Sequence, residues 1–178
     1  MSRTFLKMNG LGNDFVVIET LTQPFEPSAE EIRAIAKRGQ GGIGCDQVVA
    51  IDPPKAEGAS AFVRFWNADG EPAGACGNGT RCVAWLLMQS GGKDAVTFDT
   101  SAGRLSGVMA GDKRVTVDMG QPRLSWEQIP LAEEMDTARV DEEHHVRIAH
   151  RDADRGVHPR RVDRADLQLD AGGVHFFG

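Results

Sequence analysis

The sequence predicts an α+β domain in which a mixed or antiparallel sheet wraps around one central buried helix. The apolar run at residues 82–88 fills almost every position rather than one stripe, which is typical of a helix buried on nearly all sides. Short segments rich in valine, isoleucine and phenylalanine precede and follow this run. Strands on both sides of a single buried helix favour a sheet that packs around that helix.

Two strands with a glycine-containing connection open the chain. Residues 4–8 and 15–19 have strand composition, and residues 9–14 (NGLGND) between them have the composition of a turn. A plain hairpin explains this pattern. The functional alternative is that Asn13 projects its amide into a pocket at the strand ends.

A surface helix is predicted at residues 28–38. Ser28 and Glu31 form a capping box at its start, and Ile32, Ile35 and Ala36 make the inward stripe. Residues 41–47 (GGIGCDQ) follow as a second glycine-rich loop. This loop lacks the G-K-[ST] ending of a nucleotide-binding phosphate loop.

Five further strands flank the central helix. The sequence predicts them at residues 48–51, 61–66, 95–99, 104–109 and 114–118. Glycine-containing turns separate the last three, which favours an antiparallel meander after the helix.

Residues 75–82 (ACGNGTRC) place a thiol directly before the central helix. We expect Cys76 at or just before the helix N-terminus, where unpaired backbone N–H groups and the positive end of the helix dipole favour anions. Such a position stabilises a thiolate and offers donors to a carboxylate or phosphate. A small buried cysteine in a tight turn explains these eight residues equally well.

Bulk properties favour a cytoplasmic enzyme or binding protein. The 178 residues can form one domain, or one domain and part of a second. The net charge of −6 argues against nucleic acid or an anionic membrane as a partner. No apolar run reaches the length of a membrane span, and the N-terminus lacks a signal-peptide pattern. The three cysteines do not suggest a disulfide framework, and no zinc-ligand spacing is present.

A domain boundary is predicted at residues 119–122 (MGQP), which gives an N-terminal domain at residues 1–122 and an incomplete second domain at 123–178. The composition changes from about Asp141, after which all five histidines and six arginines occur without a lysine. We expect this tail to be disordered or poorly folded. Its histidines lack a regular metal-ligand spacing, so no metal site is predicted.

Taken together, the loops resemble those of the diaminopimelate epimerase family. The matching stretches are residues 7–15 (KMNGLGNDF), 42–47 (GIGCDQ), 65–70 (FWNADG) and 75–82 (ACGNGTRC). Each motif is weak by itself. Their order and spacing make the resemblance specific over roughly residues 3–140.

The resemblance implies one half of a pseudo-symmetric, two-domain fold with the active site between the halves. It implies a cytoplasmic isomerase that converts LL- to meso-diaminopimelate without pyridoxal phosphate or metal, for lysine and peptidoglycan synthesis. One cysteine from each half faces the α-carbon, so that a thiolate removes a proton while a thiol returns one. Members of the family are often dimers, so the resemblance also allows a homodimer.

Carried over by position, Cys76 resembles the acid/base of the first half. The substrate contacts then fall on the backbone N–H groups of Gly77 and Asn78 and on the side chains of Asn13, Gln47 and Asn67. Cys82 is expected to pack in the core. Cys45 lies beside Gln47 in the sequence and is expected to be a spectator.

The sequence departs from the family in its second half. The second cysteine motif and an Asn-Pro-His segment of the family pattern do not occur in it. We therefore expect the tail from about Asp141 to be truncated or read out of frame, which would leave the catalytic site incomplete.

Three other readings stay open. Proline-racemase-like and phenazine-isomerase-like relatives share the two-half architecture, but residues 12–15 (GNDF) and 75–79 (ACGNG) favour diaminopimelate over both. A non-catalytic remnant that binds a carboxylate ligand or a partner chain belongs to a different class, and the missing second cysteine favours it. A thiol redox role lacks an adjacent resolving cysteine.

Overall fold

A computed structural model describes residues 3–111 and 114–121, together with the backbone of two short strands at 167–168 and 175–176. The chain divides into two compact units, Met1–Met119 with Arg164–Gly178 and Gly120–Asp163. All the elements below belong to the first unit. The expected disorder from Asp141 falls outside the described residues, apart from the two short strands, and the boundary at residue 122 stays a prediction.

The described residues form ten strands and two helices. The elements are β1 (Leu6–Gly10), β2 (Asn13–Glu19), α1 (Ala29–Ala36), β3 (Gln47–Asp52), β4 (Phe62–Asn67), β5 (Pro72–Ala73), α2 (Gly77–Gly91), β6 (Ala95–Thr100), β7 (Gly103–Met109), β8 (Arg114–Asp118), β9 (Leu167–Gln168) and β10 (His175–Phe176). Strand β5 was not predicted from the sequence. For the other strands from β1 to β8, the predicted ends lie within two residues of the observed ends.

One mixed sheet contains all the described strands. Its order is β10-β1-β2-β3-β4-β6-β7-β8-β9, with β5 paired to β4. The pairs β2–β3 and β4–β6 are parallel, and the other pairs are antiparallel. The predicted α+β fold with a mixed sheet around a central helix is confirmed, and so is the meander of β6, β7 and β8.

The two faces of the sheet pack on different helices. Alternate side chains of β2, β3 and β4 pack against α2 and form its core cluster, with Phe15, Val49, Val63 and Phe65 among its members. The intervening side chains pack against α1 in a smaller cluster, with Val16, Val48 and Trp66 among its members. The strand period of two therefore decides which helix each side chain meets.

Cys76 lies just before the N-terminus of the central helix, as predicted, and the helix begins five residues before the apolar run. Gly77 is its first residue, and Cys76 is the extended N-cap residue (φ −139°, ψ 119°). Gly92 ends the helix in the left-handed conformation (φ 60°), and its N–H donates to Met88 O. Burial on all sides is confirmed only for residues 79–84, since residues 85–87 are half-buried. An apolar run indicates that a helix is covered, but not which of its turns is covered most.

The capping box of α1 is present as predicted. Ser28 Oγ accepts from Glu31 N at 3.2 Å, and Glu31 Oε2 accepts from Ser28 N at 2.8 Å. The helix ends at Ala36, two residues before the predicted end, because Lys37 has a non-helical backbone (φ −55°, ψ 125°).

The connection between β1 and β2 is a two-residue turn at Leu11 and Gly12. Both residues have positive φ, 50° and 89°, which is typical of the type I′ turn that matches the twist of a hairpin. The predicted loop at residues 9–14 is therefore mostly strand. Asn13 is the first residue of β2 and pairs with Gly10.

Close packing at Gly79 leads to a stability prediction. A β-carbon at this position would lie 2.9 Å from Phe65 Cε1 and 3.2 Å from Phe15 Cε1. Both rings are fully buried, so they have little room to shift. We expect Gly79→Ala to lower the free energy of unfolding by about 1–2 kcal/mol in urea titrations, after allowing for the helix propensity of alanine.

Gly91→Ala is the matched control. It lies in the same helix, and a β-carbon there would meet nothing within 4 Å. We expect it to raise the free energy of unfolding by at most about 1 kcal/mol. Equal effects of the two substitutions would contradict the packing argument.

Candidate functional site

Three amide side chains lie at one edge of the sheet. Asn13 begins β2, Gln47 begins the parallel strand β3, and Asn67 ends the antiparallel strand β4. Gln47 pairs with both Phe15 and Asn67 in the register of these strands. The strand ends that carry the three amides therefore meet.

The three amides also share a face. Each lies two residues along its strand from a side chain of the α2 core cluster, namely Phe15, Val49 and Phe65. Because side chains alternate across a strand, Asn13, Gln47 and Asn67 are on the face that carries α2.

The N-terminus of α2 opens at the same edge. Asn78, the second residue of α2, donates from Nδ2 to Asn13 Oδ1 at 2.8 Å. The first N–H groups of a helix have no partner within it, so those of Gly77 and Asn78 are available to an anion. Cys76 immediately precedes them, is partly exposed, and makes no side-chain capping bond.

The other two cysteines are buried. Cys45 is 2% exposed in the cluster around α1, and burial raises the pKa of its thiol. Cys82 is fully buried in the α2 cluster, where burial, followed by the nearby Cys76, raises its pKa to about 12. Both thiols are therefore held neutral in their packed positions. Cys76 is the accessible cysteine of the chain.

Gln47 and Asn67 form a hydrogen-bonded pair in which the side-chain oxygen of Gln47 accepts no bond from the described residues. Gln47 Nε2 donates to Asn67 Oδ1 at 2.8 Å. Gln47 Oε1 is buried and has no hydrogen-bond partner among the residues that the structure describes. A buried acceptor without a partner is costly, and such a group is a candidate contact for a ligand that donates hydrogen bonds.

A cluster of four charged residues holds the glycine-rich loop against the first hairpin. Lys7 Nζ donates to Asp14 Oδ2 at 2.7 Å and also to the carbonyl of Gly44. Arg38 donates to both carboxylate oxygens of Asp14, at 2.6 and 3.0 Å, and to Asp46 Oδ1 at 2.8 Å. The backbone N–H groups of Asp14 and Asp46 each donate to the other's carboxylate, at 3.0 and 3.1 Å.

This charged cluster connects to the amides through Asp46. Asp46 Oδ2 accepts from Asn13 Nδ2 at 3.2 Å, and Arg81 donates to Asn78 Oδ1 at 2.8 Å. The hydrogen bonds of Asp46 and Arg81 were not predicted from the sequence, although both residues lie inside the motifs at residues 42–47 and 75–82. Asp46 directly precedes Gln47, and Arg81 follows Asn78 by one helical turn. Their partners could not be deduced, because the bonds from Asn13 to Asp46 and Asn78 span 33 and 65 residues.

Neither a metal site nor a membrane span was found in the described part of the chain. It contains no group of three His, Cys, Asp or Glu side chains that could hold a metal ion. No helix there is long and apolar enough to cross a membrane. Residues 144–145, two of the five tail histidines, lie outside the described residues.

Acid should weaken the charged cluster through Asp14. Partial burial raises the pKa of Asp14, but hydrogen bonds from Arg38 and Lys7 outweigh burial and hold that pKa well below its ordinary value of 3.8. A carboxyl group whose pKa is lower in the folded than in the unfolded chain stabilises the fold at pH values above its unfolded-state pKa. This stabilisation is lost as the pH falls toward the folded-state pKa. We expect Asp14→Asn to make the free energy of unfolding less dependent on pH below about pH 5.

Urea titrations between pH 7 and pH 3 would measure this slope. Asp99→Asn is the matched control because it removes an ion pair with Arg104 from a carboxylate that is 16% exposed, close to the 18% of Asp14. Asp14 has two cationic partners and also accepts from the N–H of Asp46, whereas Asp99 pairs with one cation, so the effect of Asp99→Asn on the slope should be smaller. A larger effect of Asp99→Asn than of Asp14→Asn would contradict the prediction.

Comparison with solved structures agrees with the fold. A hydroxyproline epimerase from Agrobacterium vitis superposes with a TM-score of 0.54 at 20% identity, over 66% of this chain and 41% of that chain. A methylitaconate-delta-isomerase superposes with a TM-score of 0.51 at 17% identity, over 70% of this chain and 66% of that chain. At these identities the likeness concerns the fold alone.

Sequence comparison is more specific. A family model described as diaminopimelate epimerase matches residues 5–125. The diaminopimelate epimerase of Caulobacter sp. (strain K31) is 82% identical over 146 residues, and that of Phenylobacterium zucineum (strain HLK1) is 66% identical over 141 residues. Each alignment covers 79% of this chain and 50% of the relative, so the chain spans about half the length of these curated relatives. The chain therefore belongs to the diaminopimelate epimerase family, a family of isomerases.

Proposed function

We propose that the described residues form one half of the active site of a diaminopimelate epimerase, with Cys76 as its acid/base. The observation that carries the proposal is the placement of a partly exposed thiol next to the open N-terminus of α2. The Asn13 side chain reaches this helix end through Asn78, and Gln47 and Asn67 lie at the same sheet edge. This combination suits a small amino acid that carries a carboxylate and an acidic C–H bond.

The α-carboxylate of the substrate would bind at the start of α2. Backbone N–H groups of Gly77 and Asn78 point out of a helix end whose dipole favours negative charge. Negative charge that develops when the α-proton leaves would be stabilised by the same donors. The helix end would thus serve both binding and catalysis.

Gln47 would contact a donor group of the substrate. Its buried Oε1 has no partner among the described residues, and a substrate ammonium group would supply the missing hydrogen bond. Asn67 would hold the Gln47 side chain through the bond to Gln47 Nε2. Diaminopimelate carries two ammonium groups, and each is chemically able to donate this bond.

The Cys76 thiolate would take the α-proton, and the electron pair of the C–H bond would remain on the substrate as a carbanion conjugated with its carboxylate. Return of a proton by Cys76 would restore the original configuration. Inversion needs an acid on the opposite face, and Cys45 and Cys82 are too deeply buried to supply it. We therefore infer that the second acid is a group other than these two thiols, supplied by another part of the chain or by a second copy of it.

On this proposal the chain acts in the cytoplasm on a free amino acid. The reaction needs neither pyridoxal phosphate nor a metal, and its product serves lysine and peptidoglycan synthesis. A homodimer is one arrangement in which a partner could complete the site.

Exchange of the α-proton tests the assignment of Cys76. The purified chain is incubated with LL-diaminopimelate in D₂O, and deuterium uptake and stereochemistry are followed together. We expect uptake in the wild type and a loss of about 100-fold or more in Cys76→Ala, which is typical when a general acid/base is removed. Retention would indicate that Cys76 works alone, and inversion would indicate an acid on the opposite face.

Cys45→Ala is the matched control for loss of a thiol. Its side chain lies in the α1 cluster, so exchange should continue at nearly the wild-type rate. Absence of exchange in a folded wild-type chain would favour a non-catalytic carboxylate-binding remnant. Exchange that survives in Cys76→Ala would also contradict the proposal.

The role of the backbone N–H of Gly77 can be tested with proline. Proline is tolerated at the first position of a helix and removes only the N–H group, and the extended backbone of Cys76 is compatible with a following proline. We expect Gly77→Pro to weaken binding of LL-diaminopimelate about tenfold or more, measured by calorimetry, because a hydrogen bond to a charged group is lost.

Gly77→Ala controls for added bulk while keeping the N–H. A β-carbon at Gly77 would have Arg81 NH1 as its nearest neighbour, at 3.8 Å, which is an ordinary contact. Its affinity should stay within about threefold of the wild type. Equal losses in the two variants would mean that bulk, and not the missing donor, explains the effect of proline.

A further inference from the structure

Four side chains form a hydrogen-bonded chain that runs from the first turn of α2 to the glycine-rich loop. Arg81 NH1 donates to Asn78 Oδ1 at 2.8 Å, and Asn78 Nδ2 donates to Asn13 Oδ1 at 2.8 Å. Asn13 Nδ2 then donates to Asp46 Oδ2 at 3.2 Å. The guanidinium of Arg81 is at one end of this hydrogen-bonded chain, and the carboxylate of Asp46 is at the other.

The charged ends fix the direction of this chain. A guanidinium can only donate hydrogen bonds, and an ionised carboxylate can only accept them. The oxygen and nitrogen of an asparagine amide are nearly equal in shape, so their positions follow from their partners. Reversal of either Asn13 or Asn78 would place donor against donor or acceptor against acceptor. Both amides are therefore held in one orientation.

The orientation determines what the two amides can offer to a ligand. Each amide oxygen already accepts a bond within the chain, whereas each nitrogen has a second N–H that no hydrogen bond among the described residues uses. We propose that Arg81 and Asp46 are positioning residues that present Asn13 and Asn78 as N–H donors to the α-carboxylate. This inference rests on the proposed function, since it concerns the same substrate group.

Both ends of the chain are held firmly. Arg81 is only 5% exposed, and a buried guanidinium depends on its hydrogen-bond acceptors. Asp46 is held by Arg38 at 2.8 Å and by the N–H of Asp14 at 3.0 Å. The charged cluster on the α1 side of the sheet thus determines how an amide on the α2 side is presented.

Substitution of both charged ends tests the inference without any ligand. Either end alone can fix the direction of the hydrogen-bonded chain, whereas glutamine and asparagine can donate or accept. In Arg81→Gln/Asp46→Asn the amides of Asn78 and Asn13 should therefore lose their single orientation, and in ¹⁵N-labelled protein we expect their side-chain NH₂ signals to split. Arg81→Lys/Asp46→Asn keeps one end that only donates, so it should keep one set of signals.

Affinity for LL-diaminopimelate provides the second measurement. We expect Arg81→Gln/Asp46→Asn to bind more weakly than Arg81→Lys/Asp46→Asn, by up to about tenfold, as for a lost hydrogen bond to a charged group. Arg104→Gln is the control, because Arg104 pairs with Asp99 away from these amides. It should change neither the amide signals nor the affinity.

The outcomes separate positioning from packing. A single set of Asn13 and Asn78 signals in folded Arg81→Gln/Asp46→Asn would overturn the inference, and so would equal splitting in Arg81→Lys/Asp46→Asn. If Arg81→Gln/Asp46→Asn does not fold, Asp46→Lys replaces it, since the Asp46 side chain is 38% exposed. Donors at both ends cannot be satisfied by one direction of the hydrogen-bonded chain, so the Asn13 signals should then split, and unchanged signals would overturn the inference.

The same data separate this inference from the proposed function. If the amide signals respond as expected but the wild-type chain does not bind LL-diaminopimelate, the proposed function fails while the positioning of the amides stands. If the wild type binds and its amides do not respond, the proposed function stands and the positioning roles are wrong.

Discussion

The site depends on the close approach of α2 to the sheet at Gly79. The absence of a β-carbon there lets the rings of Phe15 and Phe65 lie against the helix backbone. These rings belong to β2 and β4, the strands that carry Asn13 and Asn67 at their ends. One glycine therefore sets the distance between the helix N-terminus and the amide-bearing edge. A wider separation would break the bond from Asn78 to Asn13.

Much of the fold could be predicted because the sequence patterns that indicate it involve residues close together in the chain. The capping box at Ser28 and Glu31 depends on four consecutive residues, and the turns of the meander depend on glycine positions. The start of α2 was predicted from the position of Cys76 but had no support from helix propensity, because Gly77 and Gly79 are poor helix formers by themselves. Packing against Phe15 and Phe65 compensates for that weakness. The parallel pairings β2–β3 and β4–β6 also had no local signal, since they join segments separated by a helix.

The residues of the candidate site could be named from the sequence, but the hydrogen bonds that connect them could not. Family resemblance pointed to Asn13, Gln47, Asn67, Cys76, Gly77 and Asn78, and the structure brings them to one sheet edge. Nothing in the local sequence indicated that Asp46 and Arg81 lie at opposite ends of one hydrogen-bonded chain. The bonds that join Asn13 to Asp46 and to Asn78 span 33 and 65 residues, so they become evident only in the folded chain.

Three thiols of the same chemistry are distinguished here by environment. Burial keeps Cys45 and Cys82 neutral within packed clusters, whereas Cys76 borders an open helix end. An accessible thiol on one wall can remove a proton from one face of a carbon. The carbanion that results can be protonated from either face, so the stereochemical result depends on where the next acid stands. On the proposed function, the described half would bind the substrate and remove the α-proton, and the acid on the other face of the carbon would determine whether the configuration is inverted.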